Sequence, residues 1–317
     1  MSAVLGVLRR YPVFILLAVV VLGAAIVTPA ILSPSNILLV IRQYSVMGII
    51  ALGVTFVVLC GRLDVSVGSL LSLLVVVIVA LHDLVGPVGA VLAGFAIAAV
   101  VGAFNGYLVA YLRLNSLITT LGGYAALQGI ANVTSAGGLQ LVKNPEASWF
   151  GVFGRGFIFD IPMPDILFFG LAALAAWILT QTNYGRAVKA VGGNELASRF
   201  SSINAKAVIF SAYMASALFT AIAAVVLSSR AMSAQSDSGA GLEISALSAI
   251  FLGGTSLGGG VGGIGRTLLG VIVLAFISNA MVLVGLPIQA QWLASALVIL
   301  LAVWLDTASR RGSLVAP

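Results

Sequence analysis

The sequence predicts an all-α protein that crosses a membrane about ten times. Three observations carry that expectation. Of the 317 residues, 61% are hydrophobic and 8% are charged. A soluble domain carries about 25% charged residues and needs them to cover its surface, so lipid is the solvent for most of this chain. Apolar runs of about 20 residues, long enough to span a bilayer as helices, recur from residue 13 to residue 306. Glycine and proline mark many of the joints, as in Gly86-Pro87 and Pro162-Met163-Pro164.

Taken in order, the spans fall at about 12–31, 37–60, 66–83, 87–110, 116–134, 163–181, 207–229, 242–258, 265–285 and 290–306. Residues 1–317 thus read as a single transmembrane domain. Arg9-Arg10 followed by apolar Val13–Val27 could pass for a signal peptide. The run is long and another span follows it, so an uncleaved first helix is the expectation. Ten spans put both termini on one side. That side carries Arg9, Arg10, Arg62, Arg113, Arg186, Lys189, Arg199, Lys206, Arg266, Arg310 and Arg311, against Lys143, Arg155 and Arg230 on the other. Eleven against three is a positive-inside bias that makes the termini cytoplasmic. Arg42 falls within the second span, where it snorkels or lines a polar path.

Two connections stand out. The outward loop 135–162 holds Trp149, Phe150, Phe153, Phe157 and Phe159. It reads either as an aromatic belt at the headgroup level or as a lid or docking surface. The inward segment 182–204, TNYGRAVKAVGGNELASRFSSIN, holds four charges between long apolar runs. Asn194 is a good N-cap, with Glu195 in the first turn where negative charge suits the helix dipole. Leu196, Phe200 and Ile203 fall on one helical face, and Glu195 pairs with Arg199 at i, i+4. Gly192-Gly193 breaks any earlier helix and allows a sharp turn. The expected product is a short amphipathic helix that either lies in the interface or fits a groove on a partner.

Several chemistries lack their residues. The basic residues form no dense patch interleaved with aromatics, which argues against nucleic acid despite the net charge of +6. Cys60 is the one cysteine, so no internal disulfide exists, and His82 is the one histidine, which excludes a multi-histidine metal site. The glycine-rich stretch from Gly253 to Gly265 resembles no phosphate loop, because none of Lys143, Lys189 and Lys206 follows a glycine. Its glycines serve close backbone approach or helix breaks around a cavity. A membrane enzyme would need a cluster of His, Asp or Cys near one face, and a secondary carrier a coupling carboxylate within a span; the sequence offers neither.

Asp64, beside Ser66 and Ser69 at the end of a span, is costly unless paired or hydrated. An ion pair with Arg62, a cap for the next helix and a gate near the inner mouth are the open readings. Polar residues within spans are few: Thr55, Asn105, Ser116, Thr119, Thr120, Gln128, Asn132, Ser245, Ser248 and Asn279. They bond neighbouring helices or their own backbone, and some of them suit a path for a neutral, hydroxyl-rich solute.

Several motifs carry a resemblance over about residues 33–306. Tyr184-Gly185-Arg186, then Ala190-Val191-Gly192-Gly193-Asn194-Glu195 and Ala197, resembles the cytoplasmic loop of the ribose-type permeases of bacterial ABC importers. Ala51–Val57 resembles that family's ALGMTFVI stretch, Leu63–Ser69 its IDLSVGS signature, Leu117–Gly122 its F-I-x-T-L-G motif, and Leu252–Leu257 with Gly259-Gly260 its GGTSLxGG motif. Each is weak alone; in this order and spacing they are jointly specific. The chain departs where the family has Gly-Gly before Ile-Asp, reading Gly61-Arg62 before Leu63-Asp64. It has Ser202-Ile203-Asn204 for Gly-Ile-Asn, and Glu243–Ala249 differs from the family's E-L-x-A-I-A-A.

The resemblance implies a type II ABC importer-like permease fold and a sugar or sugar-like solute: a pentose, a hexose or a furanosyl compound. It implies a coupling helix that fits the ATPase subunit, carried over to Gly185, Arg186, Gly192, Gly193, Asn194, Glu195, Leu196, Ala197 and Phe200. For the path or gate, the polar residues of the spans and the glycine-rich stretch offer Asp64, Ser66, Asn105, Thr119, Thr120, Gly254 and Thr255. It further implies a separate ATPase that binds ATP and Mg²⁺, a periplasmic or surface solute-binding protein, a second permease chain and residence in the bacterial inner membrane. A permease for branched-chain amino acids or nucleosides shares the broad architecture and stands as the alternative.

Overall fold

The computed structural model describes residues 28–143, 145, 148–287 and the isolated positions 22, 23, 25, 289, 290, 293, 296 and 297. The predicted spans 12–31 and 290–306 fall almost wholly outside these. Helix α1, Pro34–Leu59, starts where Ser33 Oγ accepts from the Asn36 N–H and proline occupies the first turn. Its residues from Ser45 to Leu59 are all buried, so it is the central helix of the bundle.

Helix α2, Val67–Ala110, is 44 residues long. A straight helix of that length would measure about 66 Å, twice a bilayer core. Gly86, at φ 77° and ψ 163°, and Pro87 after it break the helix. The chain then folds back: a Cβ at Gly94 would sit 3.2 Å from the Ile78 side chain. Asn105 Nδ2 donates to Ser66 Oγ at 3.0 Å across the same hairpin. The two arms correspond to the predicted third and fourth spans. Helix α3, Ser116–Thr134, is capped by Asn115, whose side chain accepts from the Ile118 N–H.

The loop that follows holds β1 (Gln140–Leu141), the short α4 (Val152–Arg155), β2 (Phe157–Ile158) and β3 (Ile161–Pro162). β2 and β3 pair with each other, and β1 pairs antiparallel with β4, Ser233–Ala234. Phe150 is fully buried, whereas Trp149, Phe157 and Phe159 are exposed. His82 Nε2 lies 2.8 Å from Ser148 Oγ, which ties the loop to the first arm of α2. Arg42 Nη2 donates to Gly154 O at 3.2 Å and the guanidinium stands over the Phe157 ring. Arg42 thus fastens this loop to α1.

Helix α5 covers Met163–Gln181, α6 Asn183–Gly193, α7 Glu195–Phe200 and α8 Ala205–Ala231. Helix α8 packs against both α1 and α2 and completes the core. Small residues set these contacts: a Cβ at Gly53 would lie 2.6 Å from Phe219, and one at Gly102 would lie 2.8 Å from Ala217. Helix α9, Leu242–Leu252, has only 11 residues and rises about 16 Å, half of a bilayer core. The predicted span 242–258 is thus corrected: helix ends at Leu252, and residues 253–263 form an irregular loop with positive φ at Gly254, Gly259 and Gly260. Helix α10, Ile264–Leu283, closes the described bundle.

Among the described residues five helices are long and apolar enough to cross a membrane: α1, α2, α5, α8 and α10. Exposed Leu92, Val100, Phe104, Ile118, Val133 and Trp177 cover the outside of the bundle. That surface suits hydrocarbon as solvent. One end of the molecule gathers α6, α7, the end of α1 and the 253–263 loop; the other gathers the paired strands.

Candidate functional site

Residues 62–65 form neither helix nor strand and run from the α6–α7 end into the core. Gly61 begins the turn at φ 71°. Each following residue is fastened to another element. The Leu63 N–H donates to Ser116 Oγ at 3.3 Å, and the Tyr213 hydroxyl donates to Leu63 O at 2.8 Å. Asp64 Oδ1 accepts from the Ser66 N–H and from Ser66 Oγ, at 3.1 and 2.6 Å. Asp64 Oδ2 accepts from Ser216 Oγ at 2.8 Å. The Val65 N–H donates to Thr120 Oγ1 at 3.3 Å, and Ser66 Oγ accepts from Asn105.

The structure therefore brings Asp64, Ser66, Asn105 and Thr120 into one buried polar cluster. It does not place Arg62 on Asp64. Both carboxylate oxygens of Asp64 are occupied by hydroxyl and amide donors, and Arg62 turns to Glu195 instead, at 2.8 Å. Nor is Asp64 the expected cap: it accepts from the N–H of Ser66, the residue before the first turn of α2, and no side chain accepts from the free N–H groups of that turn. Thr119 stands apart, on a cavity of about 490 Å³ walled by Phe104, Leu108, Leu114 and Ile118. Gly254 and Thr255 lie in the glycine loop; Arg266 Nη1 donates to Gly254 O at 2.8 Å. Thr255 is buried, and its hydroxyl meets no hydrogen-bond partner among the described residues.

Most other polar residues of the spans serve their own helices or a neighbour. Thr55 Oγ1 donates to Ala51 O and meets Thr267 Oγ1 at 2.8 Å. Gln128 donates to Ser236 O, and Asn279 pairs with Asn36. Ser216 and Tyr213 are the cluster members that the sequence did not reveal. They lie 152 and 150 positions from their partners, and a lone Ser or Tyr in an apolar run gives no local signal.

Helix α6 is the second part of the site, and it corrects the expected glycine break. The helix runs through Gly192 and Gly193, and the chain bends at Asn194, with φ −160° and ψ 102°. Gly192 serves contact instead: a Cβ there would sit 1.7 Å from Leu59 O and 2.5 Å from Gly260 N. Those two atoms are themselves hydrogen-bonded at 2.9 Å. Gly185 likewise touches the backbone of Ile178 and Leu179 at 2.5 Å from its ideal Cβ. Arg186 is exposed and donates to Asn183 Oδ1. The Tyr184 hydroxyl accepts from Ser211 Oγ at 3.0 Å and its ring stacks on Phe56. Burial pushes this phenol up to about 12, against the pull of the Ser211 hydrogen bond, so it stays neutral at ordinary pH.

Helix α7 follows on an Asn194 cap, whose Oδ1 accepts from the Ala197 N–H at 2.9 Å. Glu195 Oε1 accepts from Arg199 at 2.5 Å, the expected i, i+4 pair. Leu196 is 64% exposed and Phe200 83% exposed, with Ala197 exposed between them. Ile203 lies beyond the helix and packs on the core. Between α7 and the α2–α3 turn lies an open cavity of about 670 Å³, lined by Arg62, Arg113, Ser116, Glu195, Leu196 and Arg199.

Apolar helices long enough to cross a membrane, a buried polar cluster between them and an exposed apolar face at one end fit one class, the multi-pass membrane permeases. The chain matches, over residues 36–304, the family described as branched-chain amino acid transport system / permease component, and it belongs to that family. It is 38% identical over 296 residues to the ribose import permease protein of Escherichia coli (strain K12), which covers 92% of each chain. The corresponding protein of Bacillus subtilis (strain 168) is 37% identical over 303 residues, covering 95% of this chain and 94% of its own. The xylose transport system permease protein of Escherichia coli (strain K12) is 30% identical over 345 residues, covering 90% and 88%. No solved structure gives a significant match.

Proposed function

We propose that this chain is the membrane-spanning permease subunit of an ATP-driven importer for a sugar or sugar-like solute. The single observation that carries the reading is α7: a capped helix that presents Leu196 and Phe200 to solvent at the end of an otherwise lipid-facing bundle. An apolar helix face left open beside charged residues suits a groove on a partner protein. In this reading the partner is an ATPase subunit that binds ATP and Mg²⁺ and presses on α6–α7 when it closes.

Ten spanning helices complete the subunit, with the whole chain, 1–317, as one permease domain. Both termini and α7 face the cytoplasm of a bacterial inner membrane, in keeping with the arginine and lysine distribution. A periplasmic or surface binding protein delivers solute to the opposite end. A second permease chain closes the path. Access switches as nucleotide binding shifts the population between inward- and outward-open states. The names of the ribose and xylose relatives support a sugar as the solute class.

The test is extraction of the chain from its native host in mild detergent, with the bound proteins identified by mass spectrometry. A stoichiometric ATPase subunit is the expected result. Recovery of the chain alone, with solute uptake retained in cells depleted of ATP, would favour a stand-alone carrier instead.

A further inference from the structure

Arg62 occupies a position where the resembled family carries a second glycine, and it makes a contact that a glycine cannot. Its Nη2 donates to Glu195 Oε2 at 2.8 Å. Glu195 is held to its own helix through Oε1 and Arg199 at 2.5 Å. Arg62 therefore grips α7 as a body rather than one loose side chain. From Arg62 inward, the next four residues are each bonded to the core: Leu63 to α3 and α8, Asp64 to α8, Val65 to α3, Ser66 to the second arm of α2. The segment is a short strut with α7 at its outer end and the Asp64–Ser66–Asn105 cluster at its inner end.

We propose that Arg62 is a positioning residue that transmits movement of α7 to the buried polar cluster. This rests on the reading of α7 as the ATPase-facing helix. Both partners of the ion pair are about one-third exposed, 34% and 32%. Such a pair contributes little to stability, so its role is geometric: it fixes α7 and the strut in one frame. Coupling between sites needs an element whose position both sites bias, and the strut is the continuous hydrogen-bonded connection from Glu195 to Asn105.

The experiment uses the full complex of this permease with its co-purified ATPase in lipid nanodiscs. Cys60→Ser removes the native cysteine, and Gly123→Cys is the reporter. Position 123 is half-buried, with its ideal Cβ 3.5 Å from Asn105 Oδ1 and 3.6 Å from Ser66 Cβ. The readout is the maleimide labelling rate with and without ATP, Mg²⁺ and vanadate. Arg62→Gln is expected to shrink the nucleotide-dependent change about fivefold or more, the lower end of ordinary coupling, while the ATPase still co-purifies. Reversing all three charges, Arg62→Glu with Glu195→Arg and Arg199→Glu, re-pairs both contacts and restores the response. Arg199→Gln, which leaves the Arg62–Glu195 contact but frees Glu195 from its own helix, is expected to reduce the response less than Arg62→Gln does.

An Arg62→Gln complex that forms and responds undiminished overturns the proposal alone. A parent complex that forms but labels identically with and without nucleotide also overturns it, because nothing reaches the core. If Arg62→Gln loses the ATPase, the charge-swapped complex decides: binding restored with the response supports the strut, and binding restored without it overturns the strut. A parent chain that binds no ATPase overturns the functional reading itself and this proposal with it.

Discussion

Helices α6 and α7 are consecutive, lie at the same end of the molecule and are attached to it in opposite ways. α6 is joined backbone to backbone. Gly185 and Gly192 remove the side chains that would keep it away, and Tyr184 inserts between Phe56 and Ser211. α7 touches the bundle through the charged pair to Arg62 and the buried Ser198, and turns its largest apolar residues away from the protein. In a water-soluble protein an exposed Phe200 beside an empty groove would be unremarkable. Here the apolar residues elsewhere on the surface have lipid to face, whereas Phe200 sits among Glu195, Arg199 and Ser201. One stretch thus contains a platform and a handle, and glycine content, not hydrophobicity, separates them.

The largest expected effect breaks the platform. In Gly192→Ala the new methyl group would collide with Leu59 O, which is fixed by its bond to Gly260 N. Backbone on both sides leaves no flexible atom to give way, so a loss of about 3 kcal/mol is expected. It would appear as a lowered thermal midpoint in detergent and as less monodisperse protein after extraction. Phe200→Asp should leave that midpoint unchanged and instead weaken ATPase binding by about 2 kcal/mol, or some 30-fold, as for a central apolar anchor. Equal loss of stability in both variants would erase the distinction between the helices.

Much of this architecture was legible because hydrophobic run length is a direct physical demand of the bilayer. Helix α5 covers residues 163–181, where the apolar pattern predicts a span. Helix α3 has the predicted bounds, 116–134, but is not among the five helices apolar enough to cross a membrane. Helix α9 is shorter than the apolar run for a reason of backbone chemistry. The glycines after Leu252 are not polar enough to end a hydropathy run, yet they adopt φ values that no helix allows. The Asn194 cap and the Glu195–Arg199 pair were readable because both are local. Arg62 was not, since its partner lies 133 positions away. Its neighbour Asp64 looked like the natural counter-ion only because the hydroxyls of Ser66 and Ser216 cannot be placed without the fold.

A smaller effect tests how α7 is presented. Asn194→Ala removes the acceptor of the Ala197 N–H at an exposed helix start. It should cost about 1 kcal/mol of local order, read as a severalfold weaker ATPase association with the bundle intact. The smallest effect has the opposite sign and sharpens the comparison most. Gly193 is helical, exposed and adjacent to Gly192, but a Cβ there meets no atom within 4 Å. Gly193→Ala should therefore stabilise the protein by about 0.5 kcal/mol through the lost freedom of the unfolded chain, measured as a slightly raised thermal midpoint. If the midpoint rises while ATPase association falls, the glycine is reserved for the partner's approach and the platform extends into the docking surface. If both are unchanged or improved, the partner needs no space at position 193 and the docking surface begins with α7.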